Sequence, residues 1–528
     1  MTIRSPYPDV KLSELSLTAY VFERAEEWHD RPAIIDGMTG QATSYRELTE
    51  AVRRAAAGLA AHGVANGDVL AVCSPNRPEF VIAYYAAAAA GAVITTINPM
   101  ATGPDLARQL EHAGARWLVT TPELFEEKAG RAAAAVGVRA VFVFGAAEGA
   151  TPFASLLDGH RDTVARAVGP DDVALLPYSS GTTGLPKGVV LAHRHLVASL
   201  CQTVPVQQVR CDDVTIAVLP LFHIYGMQVT LNLALREGAT VVTMPRFELD
   251  GFLRLVEQYK VTRADLVPPI VLALSKHPAV DHYDLSSLRV ITSAAAPLGA
   301  GLARACAQRL GCRVKQAYGM TELGGGSHFA PDDGRDEPES IGPPLPGVQC
   351  RVVDPVSGAE VAPGEAGELL VRTPAAMRGY LNDPAATAAT IEPGGWVHTG
   401  DIVCVDAQGW FRVVDRLKEL IKYNGYQVAP AELESILLTH PAAADAAVIA
   451  SPDERAGEVP KAFVVLRAPA SADELLRFVA DRVAPYKQIR RLEFVEEIPK
   501  SPSGKILRRI LLERERDARS RALLASGR

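Results

Sequence analysis

The sequence predicts an α/β protein of more than one domain: two α/β blocks, a β-rich stretch, and a small α+β domain at the C-terminal end. Three observations carry this. In residues 45–143, and again in 214–293, helix-like stretches alternate with short apolar runs, the pattern of βαβ units around a mostly parallel sheet. Between 341 and 414 the runs shorten and are split by Gly, Pro and Asp, which reads as β-rich. Beyond Asp415-Arg416-Leu417-Lys418 the helix and strand patterns resume in one domain-sized piece, so the expected division is 1–415 and 416–528, with the charged stretch around Lys418 as hinge.

Taken in order, residues 45–62, 77–90 and 103–113 read as helices, and 69–73, 92–97, 117–120 and 140–143 as strands. The uncharged run 81–97 is mostly alanine with Gly91 inside it, a poor lipid-spanning segment, and predicts a buried helix followed by a strand. Residues 173–176 and 189–191 are short apolar runs on either side of a polar loop. The second block supplies strands at 214–219, 240–243, 263–267 and 288–293, and the β-rich stretch supplies 349–353, 367–372 and 410–414. Near the end, a strand at 492–495 leads to Pro499-Lys500-Ser501-Pro502-Ser503-Gly504-Lys505, whose two prolines and glycine form a loop that holds Lys505 out from its domain. A charged helix running from 508 to 521 follows.

With 528 residues, 48% of them hydrophobic, the chain is large enough for several cores. A formal charge of -7 with no long basic block gives no electrostatic footprint for nucleic acid, so small-molecule partners are expected. The seven cysteines are far apart with no Cys-x-x-Cys pair, against a disulfide framework or zinc site. With no apolar signal core at the N-terminal end and no membrane span, a reducing, cytoplasmic setting is expected, as monomer or homodimer.

The run from Ser179 to Val189 carries most information. Gly181, Gly184 and Gly188 let backbone N–H groups converge, Ser179, Ser180, Thr182 and Thr183 add hydroxyl donors, and Lys187 adds a charge, a combination suited to polyphosphate. Pro186 and Gly188 stand where a Walker loop needs Gly and Ser or Thr, which disfavours a P-loop NTPase. A flexible Ser/Gly linker seldom carries Thr-Thr-Gly-Leu-Pro-Lys between two apolar strands.

Further motifs follow: Phe222-His223-Ile224-Tyr225-Gly226, Ser293-Ala294-Ala295-Ala296-Pro297-Leu298, Gln316-Ala317-Tyr318-Gly319-Met320-Thr321-Glu322, Trp396-Val397-His398-Thr399-Gly400-Asp401 and Asp415-Arg416-Leu417-Lys418-Glu419. Together they resemble the adenylate-forming enzymes over nearly the whole chain, and within that superfamily the acyl-CoA ligases of the 4-coumarate:CoA ligase group. The resemblance implies a large N-terminal domain of two α/β lobes plus a β-barrel-like lobe, capped by a mobile C-terminal domain. It also implies ATP, Mg2+ and coenzyme A as reaction partners: a carboxylic acid is activated to an acyl-adenylate, then passed to the thiol of coenzyme A.

By the same resemblance Ser179, Ser180, Gly181, Thr182, Thr183 and Lys187 hold the β- and γ-phosphates, Thr321 touches the α-phosphate, and Glu322 ligates Mg2+, a hard cation commonly held by one carboxylate plus substrate phosphates. Asp401 accepts from the ribose hydroxyls with Arg416 as its partner. Tyr318 lies against adenine, with Ala296, Gln316 and Ala317 lining the base. Lys505 bridges the two anions of the first step, where loss of one preorganised donor costs on the order of 10²–10³ in rate. His223 orients the acid carboxylate. Lys422 and Gln427 serve thioester formation after rotation about Lys418. Gly425 admits the pantetheine arm, Asn424 departs from the usual lysine at a coenzyme A contact, and Arg246 replaces a lysine near the coenzyme phosphates.

The acid pocket matches Tyr225, Val229, Ser293, Ala294, Gly319, Gly325 and Gly326. Ala294 in place of glycine is expected to narrow one side, and Gly325-Gly326 in place of Pro-Val to widen another. The expected substrate is a flat aromatic acid such as cinnamate or 4-coumarate, with graded selectivity because one methylene is worth about 1–3 kcal/mol. The alternatives are a medium-chain fatty acyl-CoA synthetase, a carrier-protein loader, a luciferase-like oxidative enzyme and a non-catalytic nucleotide-binding module.

Overall fold

The structure is a computed structural model that describes residues 2–158, 167–179, 186–332, 337–424, 426–453, 455–501 and 504–526. Among them lie four sheets. The first has nine strands and is parallel at its centre, where Val69–Cys73 is flanked by Val93–Ile97 and Ala115–Thr120. At one end Lys187–Ala192 joins antiparallel to Val173–Leu175, Tyr178–Ser179 and Gly379–Tyr380. The second has eight strands, in which Thr240–Thr243, Val214–Ala217, Arg263–Leu266, Val290–Ser293 and Arg313–Met320 run parallel.

Local chemistry accounts for the helices that cover these sheets. Tyr45–Ala61 starts at a capping box in which Ser44 Oγ accepts from Glu47 N and the Glu47 carboxylate accepts from Ser44 N. Gly103–Ala113 is capped by Thr102 and stopped by Gly114 in the left-handed region. The alanine-rich run becomes the helix Pro78–Ala89 and the fully buried strand Val93–Ile97, as its composition predicts.

The β-rich stretch folds as a five-stranded antiparallel sheet of Ile3–Arg4, Gln349–Val353, Gly367–Arg372, Val397–Val405 and Phe411–Arg416. Its inner face (Leu369, Val397, Phe411) shares a core with the second α/β sheet (Ile216, Val242, Ile291). The fourth sheet, built on the long hairpin Ala443–Asp453 and Gly457–Leu466, has a core of its own, formed by Ile421, Val428, Leu433, Val448, Val464 and Leu475. It touches the larger part at a few close points. Gly299 leaves no room for a Cβ against Ser435 Oγ, Lys276 Nζ donates to Leu438 O at 3.0 Å, and a Cβ on Gly504 would stand 2.9 Å from Val267 Cγ2.

Candidate functional site

The site gathers at the C-terminal ends of the parallel strands of the second sheet, the general location of ligand crevices in open α/β folds. Arg313–Met320 brings Gln316, Ala317, Tyr318 and Gly319 to that edge and turns into the short helical segment Thr321–Leu323, which buries Thr321 and Glu322. Its parallel neighbour Val290–Ser293 ends in the 294–298 loop. Gln316 fixes that loop, because its amide donates to Leu298 O at 2.9 Å and Pro338 O at 2.5 Å while its oxygen accepts from Leu298 N at 3.0 Å. Inside the loop, between Ala294 and Ala296, Ala295 sits at φ 73, a left-handed conformation that costs a residue with a Cβ.

Tyr318, Asp401 and Arg416 form one hydrogen-bonded group. The Tyr318 hydroxyl donates to Asp401 Oδ2 at 2.6 Å, and Arg416 Nε pairs with Asp401 Oδ1 at 3.1 Å. Register explains the pair: Asp401 and Arg416 are cross-strand partners at the end of the five-stranded sheet. The neighbouring Asp401 carboxylate raises the Arg416 guanidinium above its ordinary range.

Lys505 reaches the same group from the C-terminal part. Its loop is a tight turn closed by Ser501 N donating to Lys505 O at 2.8 Å and Leu507 N donating to Pro499 O at 2.8 Å, with Gly504 at φ 76. Burial, then the Arg416 charge, lowers the Lys505 pKa, while Asp401, Glu322 and Glu419 oppose the fall. No carboxylate lies within ion-pair distance of its ammonium among the described residues. A half-buried cation without an ion-pair partner among the described residues suits an incoming anion.

His223 feels this cation too. Burial, then Lys505, pushes it down to about 3, so its imidazole is neutral at working pH. Its Nδ1 accepts from Tyr225 N at 3.3 Å, which leaves the proton on Nε2 and makes that edge a donor.

The Tyr225 hydroxyl donates to Thr292 O at 2.9 Å, tying the helical segment Tyr225–Asn232, which also carries buried Val229, to the sheet. Ser293 is fully buried and its hydroxyl has no hydrogen-bond partner among the described residues. The expected widening at Gly325-Gly326 is corrected by the packing. The Phe329 ring, 1% exposed, fills the space toward which a Cβ on Gly326 would point, and Ser199 Oγ and Gln228 Cβ stand 3.2 and 3.4 Å from one on Gly325. Gly319 meets the Gly325 backbone with no room for a side chain.

Lys422 and Gln427 are separated in sequence yet directly opposite in the hairpin Ile421–Tyr423 and Tyr426–Val428, both exposed. Asn424 occupies the turn at φ 48, a left-handed conformation asparagine tolerates better than lysine, which gives a local reason for the departure at this position. Lys418 is exposed in the turn after Arg416, and Arg246 is exposed beyond Thr240–Thr243. Ser180, Gly181, Thr182, Thr183 and Gly425 lie outside the described residues. The two ends of the phosphate loop are paired, Ser179 with Lys187 and Tyr178 with Gly188.

Sequence reasoning missed Tyr380 and Arg508. The Tyr380 hydroxyl donates to Glu322 Oε1 at 2.9 Å, and its ring lies 4.9 Å from Lys187 Nζ. Arg508, three residues after Lys505, pairs with Glu419 and Glu434, each at 2.7 Å, and anchors the lysine loop to the small sheet's own elements. A single tyrosine in the run Met-Arg-Gly-Tyr-Leu-Asn and one arginine in a charged helix give no signal in sequence.

Fold and site together define a two-part α/β protein with a nucleotide-type crevice closed by a lysine loop. The chain belongs to the AMP-binding enzyme family: the family's main region matches residues 21–381, and the AMP-binding enzyme C-terminal domain matches 432–505. It is 44% identical to a 4-coumarate--CoA ligase of Pinus taeda, covering 97% of both chains. Among solved structures it is similar to the anthranilate CoA ligase AuaEII in complex with anthranoyl-AMP, with a TM-score of 0.90 and 27% identity over 96% of this chain and 98% of that one. ATP-bound MatB from Rhodopseudomonas palustris is also similar, with a TM-score of 0.88 and 30% identity over 96% of this chain and 100% of that one.

Proposed function

We propose that the protein is an ATP-dependent acid:CoA ligase that joins a flat aryl acid of the 4-coumarate or cinnamate type to coenzyme A. The observation that carries this reading is the half-buried Lys505 ammonium, which feels the charges of Arg416, Asp401 and Glu322, in a chain 44% identical to a 4-coumarate--CoA ligase over its length. In the first step a carboxylate oxygen bonds to the α-phosphorus, the bond to the bridging oxygen breaks, and pyrophosphate leaves. Lys505 offsets the repulsion between the two anions, and the Nε2–H of neutral His223 is a donor for the acid carboxylate. Asp401, held by Tyr318 and Arg416, is the acceptor for ribose hydroxyls.

Glu322 fits a magnesium ion. It is 6% exposed, accepts one hydrogen bond from Tyr380, and has no ion-pair partner among the described residues. With no cluster of three potential ligands among those residues, the site suits a hard cation held by one carboxylate and substrate phosphates. The ion would neutralise phosphate charge when bound.

In the second step the thiol sulfur bonds to the acyl carbon, the thiol proton is lost, and the acyl–phosphate C–O bond breaks to release AMP. We assign this step to Lys422 and Gln427, presented by rotation of residues 416–528 about Lys418. The two residues share one face of a hairpin, so one rotation would deliver both.

The test is a panel of aromatic and aliphatic acids with ATP, Mg2+ and coenzyme A, scored for AMP and acyl-CoA. Cinnamate and 4-coumarate are expected to give the highest kcat/KM. Preference for octanoate would assign the enzyme to medium-chain fatty acids, and ADP in place of AMP would overturn the reaction class.

A further inference from the structure

Tyr380 is where two separated parts of the nucleotide site meet. Its strand, Gly379–Tyr380, pairs antiparallel with Lys187–Ala192, the strand that begins at the phosphate-loop lysine: Val189 faces Tyr380 and Val190 faces Gly379. On either side, Arg378 N donates to Val190 O at 3.0 Å and Leu381 N to Gly188 O at 2.8 Å, while Met377 N donates to Glu322 O at 2.8 Å. The segment 377–381 is therefore stitched to both the phosphate-loop strand and the backbone of Glu322.

The side chain repeats this bridge. One end donates to Glu322 Oε1 at 2.9 Å, and the ring face lies 4.9 Å from the Lys187 ammonium. Thr387 holds the backbone from behind, since its Oγ1 accepts from Tyr380 N at 2.9 Å and its side chain crowds Gly379, which sits at φ 151. Burial and the Glu322 charge keep the phenol protonated, so it remains a donor.

We propose that Tyr380 is a positioning residue that fixes the Glu322 carboxylate and the Lys187 ammonium at a set separation, so that metal ion and polyphosphate are bound as one unit. The inference rests on the ligase reading above, in which Glu322 takes the metal and Lys187 the phosphates. A phenol donating to one oxygen of Glu322 leaves the other for the ion and stops the carboxylate from rotating, the service an outer partner gives a metal ligand. The ring face gives Lys187 a platform of partial negative charge that does not compete as a full anion would.

Two variants separate these roles. Tyr380→Phe removes the bond to Glu322 and keeps the ring, whereas Tyr380→Leu removes both. Mn2+ affinity is read directly by electron paramagnetic resonance in the presence of a non-hydrolysable ATP analogue, alongside KM for ATP and for the acid. Tyr380→Phe is expected to weaken Mn2+ binding about 10-fold and to raise the half-saturating Mg2+ concentration in parallel, with KM for the acid moving little. Tyr380→Leu is expected to raise KM for ATP as well. Mn2+ affinity and KM for ATP unchanged in both variants, with only the melting temperature lowered, would make Tyr380 merely structural and overturn the proposal. Failure of the wild-type protein to bind Mn2+ with the analogue would instead overturn the ligase reading, so the two failures are distinguishable.

Discussion

Two lysine-bearing segments of the C-terminal part stand in different environments. Lys505 lies on a pinned loop, half-buried and within the field of Asp401, Arg416 and Glu322, whereas Lys422 lies on an exposed hairpin opposite exposed Gln427. Both belong to one folded unit with its own core, so one arrangement commits one lysine to the crevice and leaves the other in solvent. Under the proposed function, this arrangement is the one for attack on phosphorus, and the thioester step is assigned to a turned unit whose close points to the larger part include Gly299, Lys276 and Gly504.

The largest expected effect breaks the comparison directly. Lys505→Ala is expected to reduce the adenylation half-reaction by on the order of 10²–10³ while thioester formation from supplied acyl-adenylate persists. Lys422→Ala is expected to show the opposite pattern. Single-turnover measurement of pyrophosphate release and of acyl-CoA formation checks both. Equal loss of both half-reactions in each variant would end the proposed division of labour between the half-buried and the exposed lysine.

The two regions also differed in how legible they were. The parallel sheets were readable because apolar runs of strand length alternate with capped helices, and Ser44 with Glu47 or Thr102 with Gly114 mark helix ends locally. The pairing of Lys422 with Gln427 follows from the hairpin around Asn424, a turn signal that was present but read only as a coenzyme contact. Packing at Gly325 and Gly326 was illegible, because Ser199 and Gln228 arrive from elsewhere in the fold and the Phe329 ring, from the same strand, folds back over Gly326. Tyr380 was hidden for the same reason: its meaning lies in Glu322 and Lys187, both remote in sequence.

A smaller effect sharpens the comparison at the junction of the two regions. Asp415 is pushed up to about 6, mainly by burial, with Arg508 opposing and Glu434 adding to the rise. Its folded pKa exceeds its unfolded one, so the folded chain holds an extra proton between about pH 4 and 6. The stability this contributes is present below that window and is lost as pH rises through 6. Asp415→Asn stays neutral throughout but gives up one of the bonds accepted from Arg416 N at 2.7 Å and Ala431 N at 2.9 Å. The variant is expected to be the less stable at pH 5 and to recover relative to wild type by pH 7.5, by at most about 1.4 kcal/mol. Urea melts at the two pH values check this, and a stability difference independent of pH would remove Asp415 as the titrating group.

The smallest effect concerns the loop 294–298 at the end of strand Val290–Ser293. Ala295 holds a left-handed φ of 73 because Gln316 clamps Leu298 on one side and the parallel strand Val290–Ser293 ends on the other. Glycine at 295 would relieve the strain while raising the entropy of the unfolded chain, so Ala295→Gly is expected to stabilise the protein by no more than about 1 kcal/mol. The gain in freedom falls between Ala294, proposed to line the acid, and Ala296, proposed to line the base, so KM for the acid is expected to rise modestly while pyrophosphate release at saturating acid holds. Strain kept at a binding wall in this way trades stability for a fixed shape. A variant that is less stable than wild type, measured by urea denaturation, would show that the Ala295 methyl makes contacts worth more than the strain it carries.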